Sequence, residues 1–349
     1  MTDWSHYSTP DPEFVEASAN TPPQPVPEVK NALEVDEEVI RRQKIVVEMM
    51  SKPVEAAGPP VGAIVEEKRI PVTTPPGDIA IRIYTPQSQD ASETFPVYVH
   101  FHGGGYCVGN LDMDELTCRA KSSKHRIVVV NVDYRLAPQF RWPTGPNDAY
   151  DAVKWILVLF QVALNAPGLR VDLKKGFIVG GISAGGNFTC IITQRAREDP
   201  ELQGKITGQV MQIPETISHT KEFPENLKEK LKSYEEFRHD PLFPIANLEL
   251  YFAAYQSGDA SDPLVSPLLA KSFSGLPPAY VQIAGADALR DEGLLYSQRL
   301  EESEVPTKVD VYPGVPHAFT IWYPTIGASV KWRADLDIGI QWLLGFVKQ

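Results

Sequence analysis

Ser183 lies in the stretch "VGGISAGGN", where Gly181, Ile182, Ser183, Ala184 and Gly185 follow the pattern Gly-x-Ser-x-Gly. Small residues two before and two after a serine permit a sharp turn with the hydroxyl at its apex. A serine hydroxyl is a weak nucleophile until a base takes its proton, and the base needs an acid to orient it. Three of the seven histidines follow the serine: His219, His239 and His317. His219 and His239 fall in a charged interval and read as solvated surface residues. His317, in "VDVYPGVPHAF", comes just after a late apolar run and is the candidate base. Asp287 directly follows "AYVQIAGA" and is the candidate acid, whereas Asp291 reads as the N-cap of the next helix.

A second glycine cluster, His102-Gly103-Gly104-Gly105, closes the apolar run in "VYVHFHGGGYCVGN". Glycines after a strand suit a backbone that must approach a ligand closely or aim its N–H groups at it. Attack on an ester carbonyl creates an oxyanion that needs such donors. Gly103, Gly104 and Gly105, with the N–H of Ala184, are the candidate oxyanion hole. His102 is expected to brace this loop, and Tyr106 and Phe319 are pocket candidates by position. Cys107, close to the loop, reads as packing.

These groups need elements to hold them. Short β-branched runs at 79–84, 96–101, 127–132, 176–181, 208–213, 279–285 and 308–314 predict strands. Helical patterns at 147–162, 185–197, 291–303 and 328–346 fall between or after them. The alternation predicts a mostly parallel sheet covered on both faces. Ser183, Asp287 and His317 then each follow a strand, in the order serine, acid, histidine.

Residues 1–69 are proline-broken around one predicted helix at 36–51 and read as an arm contributing to a cap. Residues 70–349 read as the catalytic domain. The interval 214–257 lacks a strand pattern, is locally helical in "ENLKEKLKSYEEF", and reads as a cap insertion. Trp4, Tyr7, Phe14, Phe237, Tyr251 and Phe252 are the cap aromatics that could line a pocket.

The totals exclude several classes. The net charge of -12 argues against nucleic acid and anionic membranes. Three cysteines supply neither a disulfide framework nor a zinc pattern. No apolar stretch approaches the roughly 18 residues of a membrane span, and the N-terminus lacks a secretory pattern. The expectation is a cytoplasmic protein without a metal site. A homodimer is compatible with the sequence.

The stretches "HFHGGGYCVGN", "VDYRLAPQFRWP", "VGGISAGGN", "SGLPPAYVQIAGADALRDE" and "YPGVPHAF" run in order from about residue 70 to the C-terminus. Together they resemble the hormone-sensitive-lipase group of α/β-hydrolases, the HGGG carboxylesterases. The resemblance implies an α/β-hydrolase fold with a helical cap from the N-terminal segment and an insertion. It also implies no cofactor, and hydrolysis of short-to-medium acyl esters of small molecules. By motif it places the nucleophile on Ser183, the acid on Asp287, the base on His317 and the oxyanion loop on the glycines after His102. Tyr134 and Arg135, in the "YRLAP" element, would brace the cleft.

Two positions depart from the family. Ile182 stands where the residue before the nucleophile is usually acidic, so loop support must come from elsewhere. Ala288 replaces the usual proline after the acid. Lactonase, acyl-transferase and dehydratase-type reactions share this fold. So does a non-catalytic receptor of the gibberellin-receptor kind, which lacks the histidine that this chain keeps.

Overall fold

The computed structural model describes residues 3–162, 170–218, 223–240, 242 and 244–348. In chain order it forms α1 (Pro12–Ser18), α2 (Ala32–Ala57), β1 (Ala63–Thr73), β2 (Pro76–Pro86), β3 (Val97–Phe101) and α3 (Glu115–His125). Next come β4 (Val128–Asp133), α4 (Thr144–Val162), β5 (Phe177–Ile182), α5 (Ala184–Glu198) and β6 (Gly208–Gln212). The insertion holds α6 (Glu225–Lys228), α7 (Ser233–Glu236) and α8 (Ile245–Tyr255). The chain closes with β7 (Ala279–Ala284), α9 (Arg290–Glu302), β8 (Thr307–Tyr312), α10 (Phe319–Trp322) and α11 (Gly327–Gly345).

The eight strands form one sheet in the order β1-β2-β4-β3-β5-β6-β7-β8. β1 and β2 pair antiparallel, as do β2 and β4; every other pair is parallel. β3 through β7 are buried along almost their whole length, which is why they read as continuous apolar runs. β2 alternates instead: Ile79, Ile81 and Ile83 face the core, while Ala80 and Arg82 are half-buried. In parallel sheets of this kind the reactive groups gather beyond the carboxyl ends of the strands.

Several elements differ from expectation. β1 was not foreseen and begins at Ala63, so it crosses the boundary drawn at residue 70. Charged residues at 66–69 dilute its apolar alternation, and its pairing with β2 supplies the missing signal. α3, with its mixed charged face, was also missed. α2 is longer than residues 36–51. It starts after Asn31, whose side chain caps Leu33 and Glu34, and runs through Pro53 to Gly58, where φ is +67°. The insertion's charged stretch forms two single turns, α6 and α7, and its main helix is the apolar α8.

The N-terminal arm is laid against the sheet end. Gly314 donates its N–H to the Tyr7 carbonyl at 2.8 Å, and the Asp11 N–H reaches the Gly314 carbonyl at 3.3 Å. A Cβ on Gly314 would stand 2.1 Å from the Thr9 carbonyl oxygen, so only glycine admits the arm there. No described helix is long and apolar enough to cross a membrane.

Candidate active site

β5 runs into Ser183, and α5 begins one residue later. Ser183 is held at φ +55°, ψ −116°, a conformation that costs a non-glycine residue about 1–3 kcal/mol. Its surroundings enforce that geometry. The Ser183 N–H is tied to the Gln212 carbonyl at 2.8 Å, and its own carbonyl accepts from Asn187 at 3.0 Å. A Cβ on Gly185 would lie 2.0 Å from the Phe101 oxygen, and one on Gly181 would lie 2.4 Å from the Gly185 backbone. The elbow therefore needs both glycines as space for crossing backbones.

The loops after β7 and β8 bring the other two groups. Ser183 Oγ is 3.0 Å from His317 Nε2, and His317 Nδ1 is 2.7 Å from Asp287 Oδ2. A carboxylate only accepts, so Nδ1 carries the proton and Nε2 presents a lone pair to the serine hydroxyl. Asp287 Oδ1 accepts from the Leu289 N–H at 2.9 Å, which fixes the carboxyl plane. Both Asp287 and His317 are buried. Asp291 is not the N-cap of α9: Leu289 holds that position, and Asp291 pairs with Arg290 Nε at 2.8 Å and accepts from the Ser233 N–H.

The glycine loop turns back over the elbow, with φ +112° at Gly104 and +57° at Gly105. The Gly104 carbonyl accepts from the N–H groups of Cys107 and Val108, closing the turn. Among the described residues no acceptor meets the N–H groups of Gly103, Gly104 or Ala184. These donors are available to an oxyanion next to Ser183.

The glycine loop starts from a residue held by several contacts. The His102 ring stacks on Tyr134 with centroids 4.2 Å apart, and the Tyr134 hydroxyl donates to the His102 carbonyl at 2.8 Å. His102 Nδ1 lies 2.7 Å from the Gly103 oxygen. Burial pushes the His102 pKa down, so the ring is neutral and Nδ1–H is the donor. Arg135 grips Asp148 through Nε and Nη2 at 2.8 and 2.7 Å and so fixes the segment that carries Tyr134. Cys107 is fully buried, and burial pushes its thiol pKa up, so it packs rather than reacts.

A cavity of about 140 Å³ opens at Ser183 and His317. Its wall is mostly apolar: Val46, Met49 and Met50 from α2, with Ile213, Ile321 and Trp322 among the rest. Tyr251 is the one cap aromatic of the six named above that lines it. Trp4 and Tyr7 pack on a core cluster, Phe14 stacks edge-on against Tyr323, Phe237 packs beside the main core and Phe252 is buried. Tyr106 and Phe319 lie outside the lining. The Tyr106 hydroxyl donates to Glu215 at 2.7 Å while its ring stacks on Tyr255. Phe319 packs edge-on against Trp332. Sequence position alone did not show which way either ring would turn. The α2 methionines were missed, although Met49-Met50 on an amphipathic helix is the adaptable apolar surface such a pocket uses.

Among the described residues no group of three or more His, Cys, Asp or Glu side chains could hold a metal ion. His239 is exposed and does not line the cavity, and His219 lies outside the described residues.

A strained serine at a strand-to-helix elbow, backed by an acid and a histidine from later strand ends, defines a serine hydrolase built on an open α/β sheet. Comparison with known proteins agrees. A family profile described as the alpha/beta hydrolase fold matches residues 98–321. Versiconal hemiacetal acetate esterase of Dothistroma septosporum is 36% identical over 255 residues, covering 72% of this chain and 75% of that protein. Esterase LipI of Mycobacterium tuberculosis is 31% identical, covering 74% of this chain and 76% of that protein. Among solved structures, vibralactone cyclase superposes with a TM-score of 0.86 at 34% identity, covering 100% of this chain and 98% of that one. A Pyrobaculum calidifontis esterase follows at 0.71 and 28%, covering 89% and 92%. The chain belongs to the α/β-hydrolase family, in its hormone-sensitive-lipase-like group.

Proposed function

We propose that this protein is a carboxylic-ester hydrolase that works through an acyl-enzyme on Ser183. The observation that carries the reading is the pair of contacts at 3.0 and 2.7 Å joining Ser183, His317 and Asp287. His317 Nε2 takes the hydroxyl proton as Ser183 Oγ bonds to the ester carbon. The oxyanion is met by the N–H groups of Gly103, Gly104 and Ala184, with Gly105 shaping the loop beside them. Collapse expels the alcohol, which receives the proton from His317. Water, giving its proton to the same nitrogen, attacks the acyl carbon, and the acid leaves as Ser183 recovers its hydrogen. Asp287 holds the imidazole in the required tautomer throughout.

A cavity of about 140 Å³ suits short-to-medium acyl groups, being well below the roughly 300–1,000 Å³ of pockets for drug-sized ligands. The arm through α2 and the insertion at 214–257 act as the cap that sets this size. A related reading replaces water by an alcohol, giving acyl transfer or lactone chemistry; the similarity to a vibralactone cyclase favours keeping it in view. We place the enzyme in the cytoplasm, in line with three buried free thiols. A homodimer is compatible with the open edge of β8, and gel filtration tests it.

Hydrolysis of p-nitrophenyl esters from acetate to decanoate tests the function. The expected result is turnover that peaks at a short or medium chain and disappears in Ser183→Ala. A folded wild type that cleaves none of them contradicts it.

A further inference from the structure

Among the residues lining the Ser183 cavity, Asp114 is the one carboxylate in a wall that is otherwise apolar apart from the serine, the histidine and Tyr251. Its neighbours in sequence are spoken for. Asp112 and Glu115 both pair with Arg82, and Glu115 also takes Arg119. Asp114 precedes α3 but its side chain makes no capping hydrogen bond to that helix. It is engaged on one side only. Oδ2 lies 2.9 Å from His100 Nε2, and His100 Nδ1 lies 3.3 Å from Lys121 Nζ. Among the described residues no donor reaches Oδ1, and 17% of the side chain is exposed.

The proton positions in this chain follow from the donor inventory. An ammonium only donates, so His100 Nδ1 accepts and its Nε2–H points to Asp114. Burial, with the Lys121 charge beside it, pushes His100 down to about 4, so the ring is neutral as this arrangement requires. For Asp114 burial opposes ionisation, while the His100 hydrogen bond, the charge His100 carries when protonated and the Lys121 charge favour it, and its pKa lies below the usual value. Lys121 is itself buried, with Nζ 4.5 Å above the Tyr98 ring. Burial also pulls the Lys121 pKa down, against the pull of Asp114. The result is a carboxylate backed by the buried His100 and Lys121 side chains, with one oxygen free of protein donors in the wall of the cavity that holds Ser183. Oδ1 is open to the cavity, and a substrate group that takes the place of water there must donate a hydrogen bond to keep what it displaces. Because Lys121 already balances the charge, a neutral donor fits better than a second cation.

We propose that Asp114 is a specificity-determining residue that accepts a hydrogen bond from a hydroxyl group on the substrate and excludes substrates bearing a carboxylate near the ester. This rests on the esterase reading above. It narrows the substrate class to esters with a hydroxyl on the acyl chain or on the leaving alcohol.

Two matched pairs separate those sources: p-nitrophenyl 3-hydroxybutyrate against 3-methylbutyrate, and 2-hydroxyethyl butyrate against propyl butyrate. In each pair a methyl replaces the hydroxyl. In wild type, at least one pair should show a hydroxyl preference of about tenfold or more in kcat/KM. In Asp114→Leu the ratio should fall to about one, whatever the absolute rate. Asp114→Asn keeps an acceptor for His100 but turns an N–H toward the cavity. Because a hydroxyl also accepts, this variant can keep part of the hydroxyl preference; its readout is a gain of at least about tenfold on a p-nitrophenyl succinate monoester relative to p-nitrophenyl butyrate. If Asp114→Leu does not fold, the Asn variant carries the test alone.

Wild-type ratios within twofold for both pairs, a preference that survives Asp114→Leu, or no gain on the succinate monoester in Asp114→Asn overturns the proposal. Calorimetric binding of the same esters to Ser183→Ala keeps the two readings apart. Hydroxyl-selective binding with no turnover by wild type contradicts the esterase reading alone, whereas turnover without selectivity contradicts the role of Asp114 alone.

Discussion

The Tyr134 hydroxyl donates to the His102 carbonyl at 2.8 Å while its ring stacks on the His102 imidazole. This contact holds the residue from which the glycine loop starts. Tyr134→Phe keeps the stack and removes the donor. The expected effect is a fall in kcat of about 10- to 100-fold from a misaligned oxyanion hole, with KM little changed. Steady-state kinetics on p-nitrophenyl butyrate check it, and a change confined to KM would show that the loop does not depend on this bond.

Gly104 combines φ +112° with a Cβ position 2.0 Å from the Val108 oxygen. No side chain fits without moving the loop. Gly104→Ala is expected to lower kcat by at least about 100-fold, the loss typical of one oxyanion donor. A matching far-ultraviolet spectrum would show that the sheet has formed, and near-wild-type kcat would remove Gly104 from the oxyanion hole.

Arg290 is nearly fully buried and joins three parts of the molecule. It pairs with Asp291 at 2.8 Å and with Glu236 of the insertion at 2.9 Å, and it donates to Ser8 of the arm at 2.6 Å. Arg290→Met strands the Asp291 charge in the interior. Denaturant unfolding should show a loss of about 3–5 kcal/mol, and limited proteolysis should cut the arm before the sheet. A variant with unchanged stability and an intact arm would contradict this.

Glu215 gives the expected pH dependence of stability. Burial is the main cause of its pKa rising well above the usual value, and the neighbouring Glu292 adds to it, against the Tyr106 hydrogen bond. The folded protein therefore keeps a proton that the unfolded chain releases near pH 4.3, an ordinary glutamate value of about that size. Stability from this group is full below that pH and is lost as pH rises toward the folded pKa. Glu215→Gln carries no such proton. Relative to wild type it should gain about 1.4 kcal/mol per pH unit above that range, until Glu215 ionises in the fold. Urea unfolding of both proteins at pH 4 and pH 7 measures the difference, and a gap that is flat with pH contradicts it.

What the sequence made legible follows from how local each signal is. Ser183, Asp287 and His317 each stand beside a short β-branched run, so strand ends could be read and the three placed at one edge of the sheet. The buried strands announced themselves because both of their faces are apolar. β1 did not, since it is half-exposed and its identity rests on pairing with β2. Ring directions were also out of reach: Tyr106 follows the oxyanion loop yet turns to Glu215, because the partner that holds it comes from a segment more than a hundred residues later. The pocket was the least legible part. Its wall comes from α2, α8 and the segment after His317, and only tertiary packing brings Met49, Tyr251 and Trp322 together.

The central claim is a covalent acyl-enzyme on Ser183, and rapid mixing with p-nitrophenyl butyrate tests it most directly. If deacylation is slower than acylation, p-nitrophenol should appear in a burst equal to the enzyme present. Acid quenching followed by peptide mass analysis should then find the butyryl group on Ser183, and on no residue in Ser183→Ala. Turnover that survives Ser183→Ala, or an acyl group trapped on another side chain, would contradict the account.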